Sequence, residues 1–148
     1  WEMADASCLD LCSKGLSCGS ISVHVGYARP RLTESGRWGM GSGGSTKLSE
    51  RTDSPHRIVK AALSLFDQHT LDSEPIRRLT VALGALQPAK YDQPSLFGSE
   101  DDGKEADLIR ASVAVRERFG KNALLRGTSL KQGATMRERN NQIGGHRA

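Results

Sequence analysis

Between Ser20 and Tyr27 the sequence alternates without a break. Ile21, Val23, Val25 and Tyr27 take one parity, and Ser20, Ser22, His24 and Gly26 take the other. Successive side chains of an extended chain point to opposite sides, so this stretch is a strand with one apolar face and one small, polar face. Such a strand belongs in a sheet that is covered on one side only. Two further segments fit the same sheet. Ser45 to Arg51 places Thr46 and Leu48 inward and Ser45, Lys47 and Ser49 outward. Pro75 introduces a third strand, in which Arg77, Leu79, Val81 and Leu83 face one way and Arg78, Thr80, Ala82 and Gly84 the other.

Helical periods surround these strands. Glu2 to Lys14 carries Met3, Ala6, Leu9 and Cys12 along one stripe and is stopped by Gly15. Ser54 suits an N-cap and Pro55 the first helical position. The helix that follows runs to about Gln68 and is expected to bury Ile58, Val59, Ala62, Leu63, Leu65 and Phe66. Glu105 to Phe119 is a third helix, acidic at its start and basic at its end, with Leu108, Ile109, Ser112, Val115 and Phe119 on one side. Ala28 to Gly44 reads as a Gly- and Arg-rich loop with Trp38 in its middle. Beyond Leu125 the chain is rich in Arg, Gly and Asn, and only partial order is expected there.

The expected fold is therefore α+β: a mainly antiparallel sheet of three to four strands with two helices on one face, then a tether, a C-terminal helix and an irregular tail. Residues 1–88 are expected to form the sheet domain, 89–103 the tether, and 104–148 the helix and basic tail. The apolar fraction is 36% and Gly reaches 16 of 148 residues, so the core must come from a subset of the chain. Net charge is +4 with a pI of about 9.2, carried mainly by Arg, which is compatible with a nucleic-acid partner. No run is long and apolar enough for a membrane span and no signal peptide opens the sequence, so a cytoplasmic monomer is expected. Trp1 stands inside a helical pattern without a lead-in, and the chain reads as the C-terminal piece of a longer protein.

Chemistry is sparse. Gly39 to Gly44 satisfies a dinucleotide-binding string, but no strand-then-helix context surrounds it, and Ser45-Thr46 stand where a phosphate-cradling loop needs Lys-Ser/Thr. Asp5, Asp10, Asp53, Asp67 and Asp72 are scattered, and His24, His56, His69 and His146 have no nucleophile partner. Cys8, Cys12 and Cys18 are odd in number and, even with His24, fit no common zinc spacing; small buried thiols account for them better. No catalytic residue, metal site or cofactor is expected. The free sheet face is different. Ser20, Ser22, His24, Lys47, Ser49, Arg78 and Thr80 are small, polar or cationic, and Arg29, Arg31, Arg37 and Arg51 lie beside them. A surface of this kind can lie against a phosphodiester backbone.

Gln93-Pro94-Ser95-Leu96-Phe97 is a short apolar hook in polar sequence, with no helical or strand period able to bury Leu96 and Phe97. It resembles the sliding-clamp-binding peptide of bacterial polymerases, Gln-Leu-Ser/Asp-Leu-Phe, with Pro94 in place of Leu. The wider chain resembles the C-terminal part of a Y-family translesion DNA polymerase of the UmuC-like (ImpB/MucB/SamB) type. Cys18 to Tyr27 is similar to the first strand after the opening helix of the little-finger domain. Gly43 to Ser54 is similar to the next strand and helix cap, and Pro75 to Leu86 to the closing strand. Arg118 to Arg126 and Ala134 to Ala148 resemble the family's end segments. The resemblance implies that the exposed strands grip the template–primer duplex, and that Gln93, Ser95, Leu96 and Phe97 dock on the β sliding clamp. It places the Mg2+-binding carboxylates in a palm domain that this sequence does not contain, so no active-site residue carries over. The alternative is a free-standing nucleic-acid-binding or adaptor module.

Overall fold

The long strand β1 (Leu16–Leu32) is the spine of the molecule. In the computed structural model, which describes residues 1–32, 38–71, 74–92, 100–143 and 146–147, helix α1 (Glu2–Ser13) leads into β1. Strand β2 (Trp38–Thr52) returns antiparallel along one edge of it. Helix α2 (Pro55–His69) follows, and β3 (Ile76–Gly84) pairs with the other edge. The short β4 (Gln87–Pro88) meets the start of β1, opposite Ser17 and Leu16. The strand order β2–β1–β3 makes β1 central, and the α+β, mainly antiparallel architecture is as expected. Beyond it come α3 (Glu100–Phe119), α4 (Met136–Arg139) and the two-residue strands β5 (Gln142–Ile143) and β6 (His146–Arg147).

The core is built from the apolar parity of β1. Ile21, Val23, Val25 and Tyr27 are buried against Ile58, Val59, Ala62 and Leu65 of α2 and against Ala4, Cys8 and Leu11 of α1. Ser54 caps α2 by accepting the Arg57 amide, and Pro55 fills its first turn. Leu63 points away from this core and is 45% exposed, contrary to expectation, because the α2 stripe facing the sheet is Ile58, Ala62 and Leu65. The buried stripe of α1 is also rotated by one position, to Ala4, Cys8 and Leu11. Met3, Ala6, Leu9 and Cys12 are only half-buried. The reason is that α1 is covered on two sides, by α2 and by α3.

Three further expectations are revised. Residues 38–44 are not loop: they belong to β2, with Gly44, Gly43, Ser42 and Gly41 paired opposite Val23, His24, Val25 and Gly26. A Cβ on Gly43 would strike the Val23 carbonyl, and one on Gly44 would strike the His69 ring. These glycines permit close approach of neighbours and do not mark a turn. Among its described side chains, helix α3 (Glu100–Phe119) buries only Ile109, while Leu108, Val115 and Phe119 are exposed. It packs on α1 as a third layer.

The third concerns the region after Leu125, which is irregular as expected but docks on α1 at Arg126, Thr135 and Met136. Arg126 Nε lies 2.6 Å from the buried Asp5 carboxylate, and its guanidinium stacks over the Trp1 ring. The Glu2 carboxylate accepts the amides of Thr135 at 2.8 Å and Met136 at 3.2 Å, capping α4 and seating the buried Met136. Burial pushes the Glu2 carboxyl up, but hydrogen bonds from Thr135, Ser129 and Met136 outweigh it and hold it below its usual value. Cys8 and Cys18 are free and fully buried. Burial drives the Cys8 thiol far above the ordinary thiol range and Cys18 up to about 11. Among the described residues no three His, Cys, Asp or Glu side chains converge as a metal site would require.

Candidate nucleic-acid interface

The strand register sorts the outer sheet face into four rungs across β2, β1 and β3. They are Lys47–Ser20–Gly84, Ser45–Ser22–Ala82, Gly43–His24–Thr80 and Gly41–Gly26–Arg78. Four of these positions are Gly, three Ser and one Ala, so most of the face rises little above its own backbone. From the first rung to the last is about 20 Å at the rise of an extended strand. Lys47 stands at one end and Arg78 at the other.

A bulge strengthens the second end. Gly26 pairs with Arg78 but Tyr27 pairs with Ile76, which leaves Arg77 as an extra residue on β3. A bulge re-aims the side chains beside it. Alternation alone assigns Arg77 to the opposite face from Arg78; in the structure both line one groove of about 680 Å³, with His24, Gly26, Gly41, Met40 and Thr80. A Cβ on Gly41 would sit 2.7 Å from His24 Nε2, so the floor of this groove depends on glycine. Adjacent arginines at a strand start are the visible signal for the pair, but the register that unites them is not visible in the sequence.

The remaining candidates separate. Ser22, His24, Lys47, Arg78 and Thr80 lie on the rungs, and Ser49 is exposed where β2 bulges past Gly19. Arg29 is exposed on the extension of β1, and Arg31 lies opposite Gly39. Arg51 is turned away from the face. It donates to the carbonyls of Ser17 and Ala85 and faces Asp92 at 3.4 Å, because the bulge between Cys18 and Ser20 carries it over the side-chain-free Gly19. Arg37, Gln93, Ser95, Leu96 and Phe97 lie outside the described residues.

Charge is segregated. The three long strands carry Arg29, Arg31, Lys47, Arg51, Arg77 and Arg78 but a single carboxylate, Glu50, which is paired with Arg57 at 2.9 Å. Among the described residues none of Arg29, Lys47, Arg77 and Arg78 is held in an ion pair. Carboxylates are instead engaged on the helical side, as Asp10 is with Lys14 and Asp5 with Arg126. The face is braced from beneath. The Tyr27 hydroxyl lies 2.9 Å from Ser42 Oγ and accepts the Leu71 amide at 3.1 Å, while Ser42 Oγ donates to the His69 carbonyl at 2.6 Å.

An α1–β1–β2–α2–β3 unit with this free face also matches a known domain. Residues 1–96 match the impB/mucB/samB family C-terminal domain. The chain belongs to this family. It is 34% identical over 109 residues to DNA polymerase IV 2 of Bacillus subtilis (strain 168), covering 74% of the chain and 26% of that protein. It is 31% identical over 88 residues to DNA polymerase IV of Pelotomaculum thermopropionicum, covering 60% of the chain and 21% of that protein. A third relative, the putative UV-damage repair protein UvrX of Bacillus subtilis, is 26% identical over 133 residues, or 87% of the chain and 29% of that protein. The chain thus spans about a quarter of the length of the curated relatives it matches. It corresponds to the C-terminal region of the Y-family, UmuC-like proteins. Among the described residues no helix is long and apolar enough to cross a membrane.

Proposed function

We propose that this region grips duplex DNA and docks on the sliding clamp for a translesion polymerase that serves DNA repair and damage tolerance. The observation that carries the first half is the outer sheet face: four rungs of small side chains, ended by Lys47 and by Arg77 with Arg78, with no carboxylate among them. A phosphate backbone can approach such a surface along its whole length and meet hydroxyls, amides and cations. Contacts of that kind ignore base identity, and so they tolerate a damaged template as well. The face would act as a little finger, while Mg2+ chemistry would belong to a palm domain elsewhere in the longer protein. A cytoplasmic, nucleoid-associated location follows from DNA as the partner.

The second half rests on Gln93, Ser95, Leu96 and Phe97, a Gln-then-Leu-Phe hook placed directly after the sheet domain. A grip made of a few phosphate contacts is weak and salt-sensitive, and clamp tethering would raise the local concentration of the polymerase at the primer end. Two measurements test the proposal. Lys47→Ala with Arg78→Ala is expected to weaken binding to unrelated duplexes equally. It should also flatten the log K against log salt slope by about 1.8, at about 0.9 for each phosphate no longer neutralised. A weakening confined to particular sequences would sink the backbone-contact reading. Leu96→Ala with Phe97→Ala is expected to abolish clamp binding and leave duplex affinity intact.

A further inference from the structure

The end of α3 and the start of the docked segment carry a second cationic surface. From Arg116 to Arg139 the chain holds seven Lys or Arg against Glu117 and Glu138, a net charge of +5 in a chain whose total is +4. Gly120, at φ +92°, follows the last residue of α3 and turns the backbone out of the helix. Three asparagines then fasten this turn to α4. Asn140 Nδ2 donates to the Lys121 carbonyl at 3.3 Å and to Asn122 Oδ1 at 2.8 Å. Asn122 Nδ2 in turn donates to the Arg137 carbonyl at 3.3 Å and to Asn141 Oδ1 at 2.9 Å. Arg118, Lys121 and Arg137 are exposed around this clasp. Among the described residues none of the three is held in an ion pair. Phe119 stands beside them, 66% exposed, with the Arg118 guanidinium 5.2 Å from its ring centre. The helix dipole accounts for basic residues in the last turn of α3. It does not account for Lys121 and Arg137 beyond that turn, nor for an aromatic ring left in solvent.

We propose that Arg118, Phe119, Lys121 and Arg137 form a binding site for single-stranded DNA, in which the ring stacks on an unpaired base and the cations meet the neighbouring phosphates. Cations alone would suit any polyanion, and the ring narrows the choice. An exposed aromatic face accepts any base, but only one that is not already stacked within a duplex. The outer sheet rungs, by contrast, carry small side chains and no aromatic residue, which suits a duplex backbone. None of the four residues lies on those rungs. They belong to α3 and the segment after it, and α3 packs on α1, which covers the apolar side of the sheet. The site thus goes beyond the duplex grip and the clamp hook, and it stands or falls separately from both. For a protein that grips a template–primer junction, the unpaired template is a strand of this chemistry.

The test measures the affinity of the whole chain for labelled oligo-dT, for a blunt duplex and for polyglutamate across a range of salt. Phe119→Ser is expected to weaken oligo-dT binding about tenfold, the loss of one stacked base, with duplex affinity unchanged. Phe119→Trp, which keeps an aromatic face, should retain the full oligo-dT affinity. Lys121→Ala with Arg137→Ala should flatten the log K against log salt slope for oligo-dT by about 1.4, at about 0.7 for each single-strand phosphate no longer neutralised. Lys47→Ala with Arg78→Ala, which strips the sheet face, should spare oligo-dT binding. Oligo-dT affinity that follows Lys47 and Arg78 and ignores Phe119, Lys121 and Arg137 overturns the site. Equal loss of duplex and oligo-dT in Phe119→Ser overturns its assignment to single strands. Polyglutamate that binds as tightly as oligo-dT, and is indifferent to Phe119→Ser, overturns the proposal in favour of an acidic protein.

Discussion

The sheet with α1 and α2 is closed, among the described residues, by twelve buried apolar or thiol side chains. By contrast, α3 and the segment after it rest on α1 and α2 through polar clasps: Asp5 with Arg126, Glu2 with the start of α4, and Glu105 with the cap of α2. Among the described residues only Ile109 and Met136 are buried hydrophobics on that side. The two regions should therefore fail differently. Apolar burial is non-directional and distributed, so the sheet domain loses stability in proportion to what is removed. A clasp depends on one charge state and one geometry, and it opens as a local event below the global unfolding free energy.

The largest expected effect lies in the first region. Ile58→Ala, at a fully buried site between sheet and α1, should cost about 2–5 kcal/mol in denaturant unfolding; a cost under about 1 kcal/mol would mean that the core is not shared as described. Arg126→Ala strips the partner from a carboxylate that is only 4% exposed, at a cost of about 1–3 kcal/mol. Its signature should be faster amide exchange in α3 and α4 with the β1 amides unaffected. Uniform acceleration across both regions would erase the distinction.

Opposite ends of the pH scale should then separate the regions more gently. Glu2 is held below the ordinary carboxyl value, so its contribution is present at neutral pH. It fades as pH falls below about 4.3 and through the lower folded value. The thiols of Cys8 and Cys18 are pushed up, so the neutral forms stabilise the core below about 8.5, and that contribution is lost as pH rises beyond it. Acid should release the tail first and alkali should weaken the core, as amide exchange at each extreme would show. The smallest effect belongs to Phe119→Ser, at an α3 residue that is 66% exposed: within about 0.5 kcal/mol.

Legibility in the sequence follows the same division. Period-two alternation locates β1 and β3, and the Ser54-Pro55 cap locates α2, because local pattern and burial agree there. Gly41, Gly43 and Gly44 mislead, since glycine signals turns and close backbone approach with the same letter; only the paired strand tells them apart. Alternation puts Arg77 on the wrong face because a one-residue bulge breaks the period on which that assignment depends. Asp5 and Arg126 are 121 positions apart, and Glu2 and Thr135 are 133 apart; no periodicity relates such residues, so the docked tail is not legible at all. The same limit hides the destination of Arg51.

The Tyr27 hydroxyl has a mechanical consequence. Through that one oxygen and Ser42, the central strand, the returning strand and the end of α2 are fastened at a single point beneath the groove. A load applied to the outer face near Arg77 and Arg78 therefore has a direct hydrogen-bonded route into the helical layer. Tyr27→Phe would keep the packing and remove the rivet, leaving a surface of unchanged composition that yields under the same force.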